Sequence, residues 1–330
     1  MKIFDKILLL AVMFMFDACG NEEVIGSGKE PEKELKEYTI SLKMGGEVTA
    51  SDSPLARAET ESNDLYGVQV YSDKTDYGYF AYGLFDNVSD MKINLLEGST
   101  YKFVVLLVKD GKNKVKYYEN TYGSGYKEPF RYSIRHNYSN VSTNNNKELS
   151  NSFEVVDYKY FDADMQKGYM DGTYYPEANW YYGELSNYTP EINGTVEIDL
   201  KQTVFGLQYE VTGITDGTVS VTIQNDKRTF FENSSIAEDY TSEEKIIAFY
   251  DVYNAWKYAN NYTENLTVSV SWKRGVGVVQ DLGSKTIQVK RNVMNVVRVK
   301  LGATDGNATF GITTEDDSEM KKESVDIALK

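Results

Sequence analysis

Short runs in which apolar and polar residues alternate, repeated along the whole chain, set the tightest limit on what it can fold into. "YTISLKM" places Tyr38, Ile40, Leu42 and Met44 on one face, the period-two pattern of a half-buried strand. "YGVQVYS" repeats the pattern through Tyr66, Val68 and Val70. "STYKFVVLLVKDGKNKVKYYE" reads as a hairpin, turning at Asp110 and Gly111 and returning through Val115 and Tyr117. Further strands are predicted in "SFEVVDYKYF", "GTVEIDL", "FGLQYEVTGI", "GTVSVTIQND", "NLTVSVSWKR", "KTIQVKR" and "NVVRVKLG". Turn signals such as "EGS", "DGK", "TDGT" and "DLGS" separate them. Many short strands at this spacing predict an all-β fold of two tandem antiparallel β-sandwich domains. "SEEKIIAFYDVYNAWKYANN" spaces Ile246, Phe249, Tyr250, Tyr253 and Trp256 as a helix does, which allows one short helix in the second domain; two strands with a bend fit the same residues.

Composition shifts divide the chain. Residues 1–18 read as a signal peptide, 19–37 as an acidic flexible tether and 38–165 as an N-terminal sandwich. A tyrosine-rich junction covers 166–193, a C-terminal sandwich 194–313 and a charged tail 314–330. In that tail Val325, Ile327 and Leu329 alternate, which allows a last strand or a segment that pairs elsewhere. The opening "MKIFDKILLLAVMFMFDACG" has Lys2 and Lys6 before ten apolar residues, Ile7 to Phe16. That is signal length, short of the ~20 apolar residues of a spanning helix. Small residues flank Cys19, as in a bacterial lipoprotein signal, where the cysteine becomes the acylated N-terminus. Phe16 and Asp17 depart from the usual small-apolar pattern before it. Cys19 is the one cysteine of 330 residues, so no internal disulfide is available. Several acyl chains on one cysteine suffice for lasting attachment to an outer membrane. Glu22 and Glu23, directly after it, look like the acidic surface-export signal of Bacteroidetes lipoproteins, and "GSGKEPEKELKE" has the composition of a tether.

The formal net charge of −15 argues against nucleic acid as a partner, because phosphate-backbone binding needs clustered Lys and Arg. Catalysis is poorly supplied. The single histidine, His136, stands in a polar loop, no G-x-S-x-G nucleophile elbow occurs, and one His with one acylated Cys cannot build a zinc site. "DADMQKGYMDG" offers Asp162, Asp164 and Asp171 to calcium. Yet Lys167 stands where an EF-hand needs glycine, and Thr173 where it needs the bidentate glutamate. Fifty acidic residues supply carboxylate pairs for a glycosidase everywhere and single out none. The expectation is a non-enzyme without cofactor or metal.

The chain carries 27 tyrosines, and Tyr169, Tyr174, Tyr175, Trp180, Tyr181 and Tyr182 fall together. Flat amphipathic rings suit sugar faces and protein partners, and equally the filling of a junction between two sandwiches. Tyr174, Tyr175, Trp180, Tyr181 and Tyr182 are therefore candidates both for a binding face and for an interface.

Taken in order, the lipoprotein signal, the strand "EYTISLKMGGEVT", the connector "SPLARAE", two sandwich-like halves and "KTIQVKRNVMNVVRVKL" resemble the fimbrillin-like surface lipoproteins of the Bacteroidetes, which include fimbrial subunits and adhesins. The likeness spans roughly Tyr38 to Thr313. Arg291 and Asn292 match an Arg-Asn pair between two late strands of that family, and "LLEGSTYKFVVLL", Leu95 to Leu107, matches a strand-turn-strand step of its first domain. The resemblance implies two transthyretin-like sandwiches. It also implies an arginine-specific cut, here between Arg57 and Ala58, that removes the first strand with the lipid anchor and leaves a groove for a strand of another subunit. The alternating tail is the candidate donor, though a highly charged stretch separates it from the last sandwich strand. Two roles stay open: a fimbrial subunit or accessory adhesin, and a carbohydrate-binding surface lipoprotein of a glycan-uptake system.

Overall fold

Strands dominate the computed structural model, which describes residues 35–48, 63–75, 78–120, 123–130, 152–155, 167–170, 172–274, 277–301, 308–315 and 324–325. Residues 36–330 form one unit, and all that follows concerns it. The first half contributes β1 (Glu37–Gly46), β2 (Leu65–Ser72), β3 (Tyr79–Phe85), β4 (Lys92–Leu96), β5 (Tyr101–Val108), β6 (Trp180–Tyr188) and β7 (Gly194–Gln202). They join edge to edge in the order β4-β1-β7-β6-β5-β2-β3, closed by a short strand at Glu154–Val155. The contact of β6 with β7 is limited to Tyr181↔Gln202 and Tyr182↔Lys201. The path bends there, so that β4-β1-β7 lies over β6-β5-β2-β3. Between the two pack Ile40, Leu42, Met44, Ile93, Leu95, Ile198 and Leu200 from one side and Val68, Val70, Phe103, Val105 and Leu107 from the other.

The strand β5 shows why "KFVVLLV" loses clean alternation. Tyr101, Phe103, Val105 and Leu107 face that first core, while Val104, Leu106 and Val108 face a second one. A strand covered on both faces reads as a continuous apolar run. The second core also takes Trp180 and Tyr182 of β6, and it takes Val204, Ala248, Val252, Met294 and Val296 of the chain's second half.

That half contains β8 (Val204–Thr212), β9 (Thr218–Gln224), β10 (Thr229–Ile236), β11 (Lys245–Ala248), β12 (Thr263–Arg274), β13 (Val278–Lys290), β14 (Met294–Leu301) and β15 (Ala308–Glu315). One sheet runs β8-β14-β15, with Tyr240–Thr241 and β11 on the other edge of β8 and Ser324–Val325 beyond β15. The second runs β10-β9-β12-β13. A third core between them is lined by Phe205, Leu207, Tyr209, Val211, Val221, Val268, Trp272 and Val297.

The all-β reading holds, and most predicted strands are present. Four expectations change. "GTVEIDL", assigned to the second sandwich from residue 194, is β7 of the first, parallel to β1 from Ile40↔Gly194 to Gly46↔Leu200. The tyrosine-rich stretch 166–193 is not merely a junction, since Trp180–Tyr188 is an interior strand paired with β5. The halves meet at Thr203, a single buried residue between β7 and β8. The hairpin at Asp110 does not form, because both edges of β5 are occupied by β2 and β6; Gly111–Lys114 makes one helical turn, and Tyr117–Asn120 pairs with Gly123–Tyr126. The helix-spaced segment resolves into β11 followed by a short helix, α1 (Val252–Lys257), capped when the Asp251 side chain accepts from the Asn254 N–H.

Candidate functional site

Strand β1 lies inside its sheet, with a neighbour on each side. It is antiparallel to β4 from Glu37↔Leu96 to Ser41↔Lys92 and parallel to β7 along seven positions. Ile40, Leu42 and Met44 point into the first core and are nearly inaccessible; Thr39 and Lys43 face outward. Polar bonds fix the strand at several heights. The Thr39 N–H donates to Asn193 Oδ1 at 2.8 Å, and the Leu42 N–H donates to the Met91 carbonyl at 2.9 Å. Lys43 Nζ reaches Glu197 Oε2 at 3.0 Å.

The strand ends in Gly45-Gly46 for a steric reason. Gly46 has φ +79°, and a Cβ there would lie 2.5 Å from the Leu200 carbonyl oxygen. This close pass lets the Glu47 N–H donate to Leu200 O at 2.8 Å and aims the Glu47 side chain at the meeting point of the two halves. Its Oε2 accepts from the Gln202 N–H at 2.9 Å and from Arg291 Nη1 at 2.6 Å. Arg291 also donates to the Gln202 carbonyl at 2.9 Å and, through Nε, to the Ala259 carbonyl at 3.3 Å. Its side chain keeps 10% of its exposure, that of Glu47 37%. The Arg291-Asn292 pair is the turn between β13 and β14: Asn292 takes φ +58°, which asparagine tolerates better than most residues, and its N–H donates to Val204 O at 2.7 Å.

The aromatic candidates are split by burial. Trp180 and Tyr182 are fully enclosed in the second core, Tyr181 lies in the first and Tyr175 in the third. Rings so covered cannot stack on a sugar, which corrects their reading as a binding face. Only Tyr174 of the five is exposed, and it packs edge-on against Tyr169 and Tyr250. Burial raises the Tyr175 hydroxyl pKa, and the Glu264 carboxylate adds to the rise. Tyr262, raised chiefly by burial, donates to Glu264 Oε1 at 2.6 Å. Burial in turn pushes the Glu264 carboxyl up, against the opposing hydrogen bonds from Tyr262 and Tyr175.

Cys19, Glu22, Glu23, Arg57, Ala58, His136, Asp162, Asp164, Asp171, Ile327 and Leu329 lie outside the described residues. Val325 of the tail is described, and its backbone pairs with Ile312 of β15. Among the described residues no group of three or more His, Cys, Asp or Glu could hold a metal ion, and no helix is long and apolar enough to cross a membrane. Reading the sequence for sites missed Glu47 and Gln202, and it reached Arg291 by resemblance alone. No local signal marks Glu47, since its cation stands 244 positions away.

No family model and no curated protein matches the chain. It is similar to solved structures over most of their length. A candidate adhesin of Bacteroides thetaiotaomicron is 8% identical, with 91% of this chain and 100% of that one covered and a TM-score of 0.39. A fimbrial assembly protein of Parabacteroides distasonis is 14% identical, with 88% and 99% covered and a TM-score of 0.34. The fimbrial anchor protein of Porphyromonas gingivalis is 9% identical, with 88% and 100% covered and a TM-score of 0.35. All three are described as fimbrial or adhesive proteins.

Proposed function

We propose that this chain is a cell-surface lipoprotein, anchored to the outer membrane through Cys19, that serves without catalysis as a fimbrial subunit or accessory adhesin. Its first strand is the exchangeable part. The observation that carries the reading is the position of β1, an interior strand held between β4 and β7 yet joined to the rest of the unit only through residues 49–62. Excision after Arg57 opens two backbone edges and the three apolar slots of Ile40, Leu42 and Met44. An extended segment of another subunit restores both ladders and fills alternate slots, which is strand addition. The glycan-binding alternative loses its ground in the aromatic cluster, since four of its five rings are buried.

The test is the N-terminus of the protein taken from native outer membranes and from shed surface material, read by mass spectrometry. A terminus at Ala58 supports exchange. A lipidated Cys19 as the sole terminus leaves an anchored subunit whose first strand stays at home.

A further inference from the structure

Strand pairing and alternation fix the direction of whatever lies between β4 and β7 and which of its side chains point inward. Neither fixes how far along the groove it sits, because a slip of two residues keeps the same side chains inward. The structure contains a device that does. At the outgoing end of β1 the Gln202 N–H and Arg291 Nη1 converge on one carboxylate oxygen, at 2.9 and 2.6 Å. The Arg291 side chain is nine-tenths covered, and its guanidinium is oriented independently by the Gln202 and Ala259 carbonyls. The niche is thus built from the second half and the β7–β8 junction, and β1 supplies only the anion.

We propose that this niche sets the register of the strand in the groove, and that it selects an extended segment carrying three alternating apolar residues and then an acidic residue three positions later. Here these are Ile40, Leu42 and Met44 of β1 and Glu47 just after it. A slip of two residues moves a carboxylate by roughly 6.6 Å, far outside hydrogen-bond reach. Excision at Arg57 removes Glu47 with the strand and leaves Arg291, still held by the Gln202 and Ala259 carbonyls, facing an empty carboxylate position, which favours capture of a new acidic segment. The inference rests on the reading of β1 as exchangeable.

The full chain is prepared with the site of a sequence-specific protease placed within residues 49–62, cut while folded, and the release rate of the β1 fragment is measured by size-exclusion chromatography over time. Using an introduced site keeps this result separate from whether Arg57 is cut in nature, which the native N-terminus decides. Glu47→Gln is expected to speed release by about tenfold or more, the scale of a lost charge-assisted hydrogen bond. Arg291→Gln is expected to match it, and the double variant to be no faster than either alone. A synthetic peptide of residues 37–49 is expected to displace the cut fragment, and its Glu47→Gln form to do so about tenfold less well. Release at the unaltered rate in Glu47→Gln overturns the proposal, as do additive effects of the two substitutions. Because the Glu47 side chain is partly exposed, Glu47→Gln remains informative if Arg291→Gln does not fold.

Discussion

Strands β1 and β8 occupy the same place in the two halves and differ in how they are tied down. Each is parallel to the strand that follows late in its half, β1 to β7 and β8 to β14, and each has antiparallel neighbours on its other edge. β8 is continuous with β7 through Thr203 and runs on to β9 through Gly213–Gly217, so that cutting one side leaves it held by the other. Its side chains also serve two cores, Val204 in one and Phe205, Leu207, Tyr209 and Val211 in the next. β1 serves one core, with three buried side chains and the half-buried Tyr38, and its one covalent link to the rest of the unit is the segment leading to β2. The same pairing geometry thus holds a strand continuous with its half at both ends in one case and joined to the rest of the unit at one end in the other; what distinguishes them is connectivity, not pairing.

That contrast can be broken by experiment. Phe205→Ala in β8 is expected to cost about 3–5 kcal/mol, as large aromatic truncations in cores do, and to appear as a lower midpoint of global unfolding in urea. Leu42→Ala in β1 is expected to cost about 2–5 kcal/mol in the uncut chain. After a cut within residues 49–62 it should appear instead as faster loss of the fragment from a body that stays folded. If the cut Leu42→Ala protein unfolds as a whole, β1 is no more separable than β8 and the contrast fails. The smallest effect concerns Glu264, which opens β12 in the second half. Its pKa is raised in the folded state, mainly by burial, so its favourable contribution is complete below the ordinary value near 4.5 and is lost as pH rises through the raised one. Glu264→Gln does not titrate, so its thermal midpoint is expected to gain on that of the unaltered chain from pH 4 to pH 8. An unchanged difference across that range would show that Glu264 titrates normally.

How much of this could be read from the sequence depends on how many faces of a strand are covered. β1, β7 and β12 alternate cleanly because one side meets a core and the other faces outward, and their patterns predicted them. β6 lies between two cores, and its "WYYGE" puts aromatic rings toward both, so periodicity vanishes just where burial is greatest. Tyrosine adds to the ambiguity, since the same ring suits a wet surface and a dry interior. The boundary between halves was misplaced for a related reason. β7 is the return strand of the first half, and only its parallel pairing with β1, some 150 positions earlier, reveals it. The Arg291-Asn292 turn could be recognised by likeness, but its tie to Glu47 is a contact between opposite ends of the chain. Local pattern carries no trace of it.

The parallel run of β1 beside β7 also bears on mechanics. A pull applied at Glu37 along the strand axis slides β1 past its neighbours and loads the backbone bonds to β7 and β4 together, where peeling would break them one at a time. A strand paired in this way meets a pull along its axis with both ladders at once, although a single covalent segment ties it to the rest of the unit.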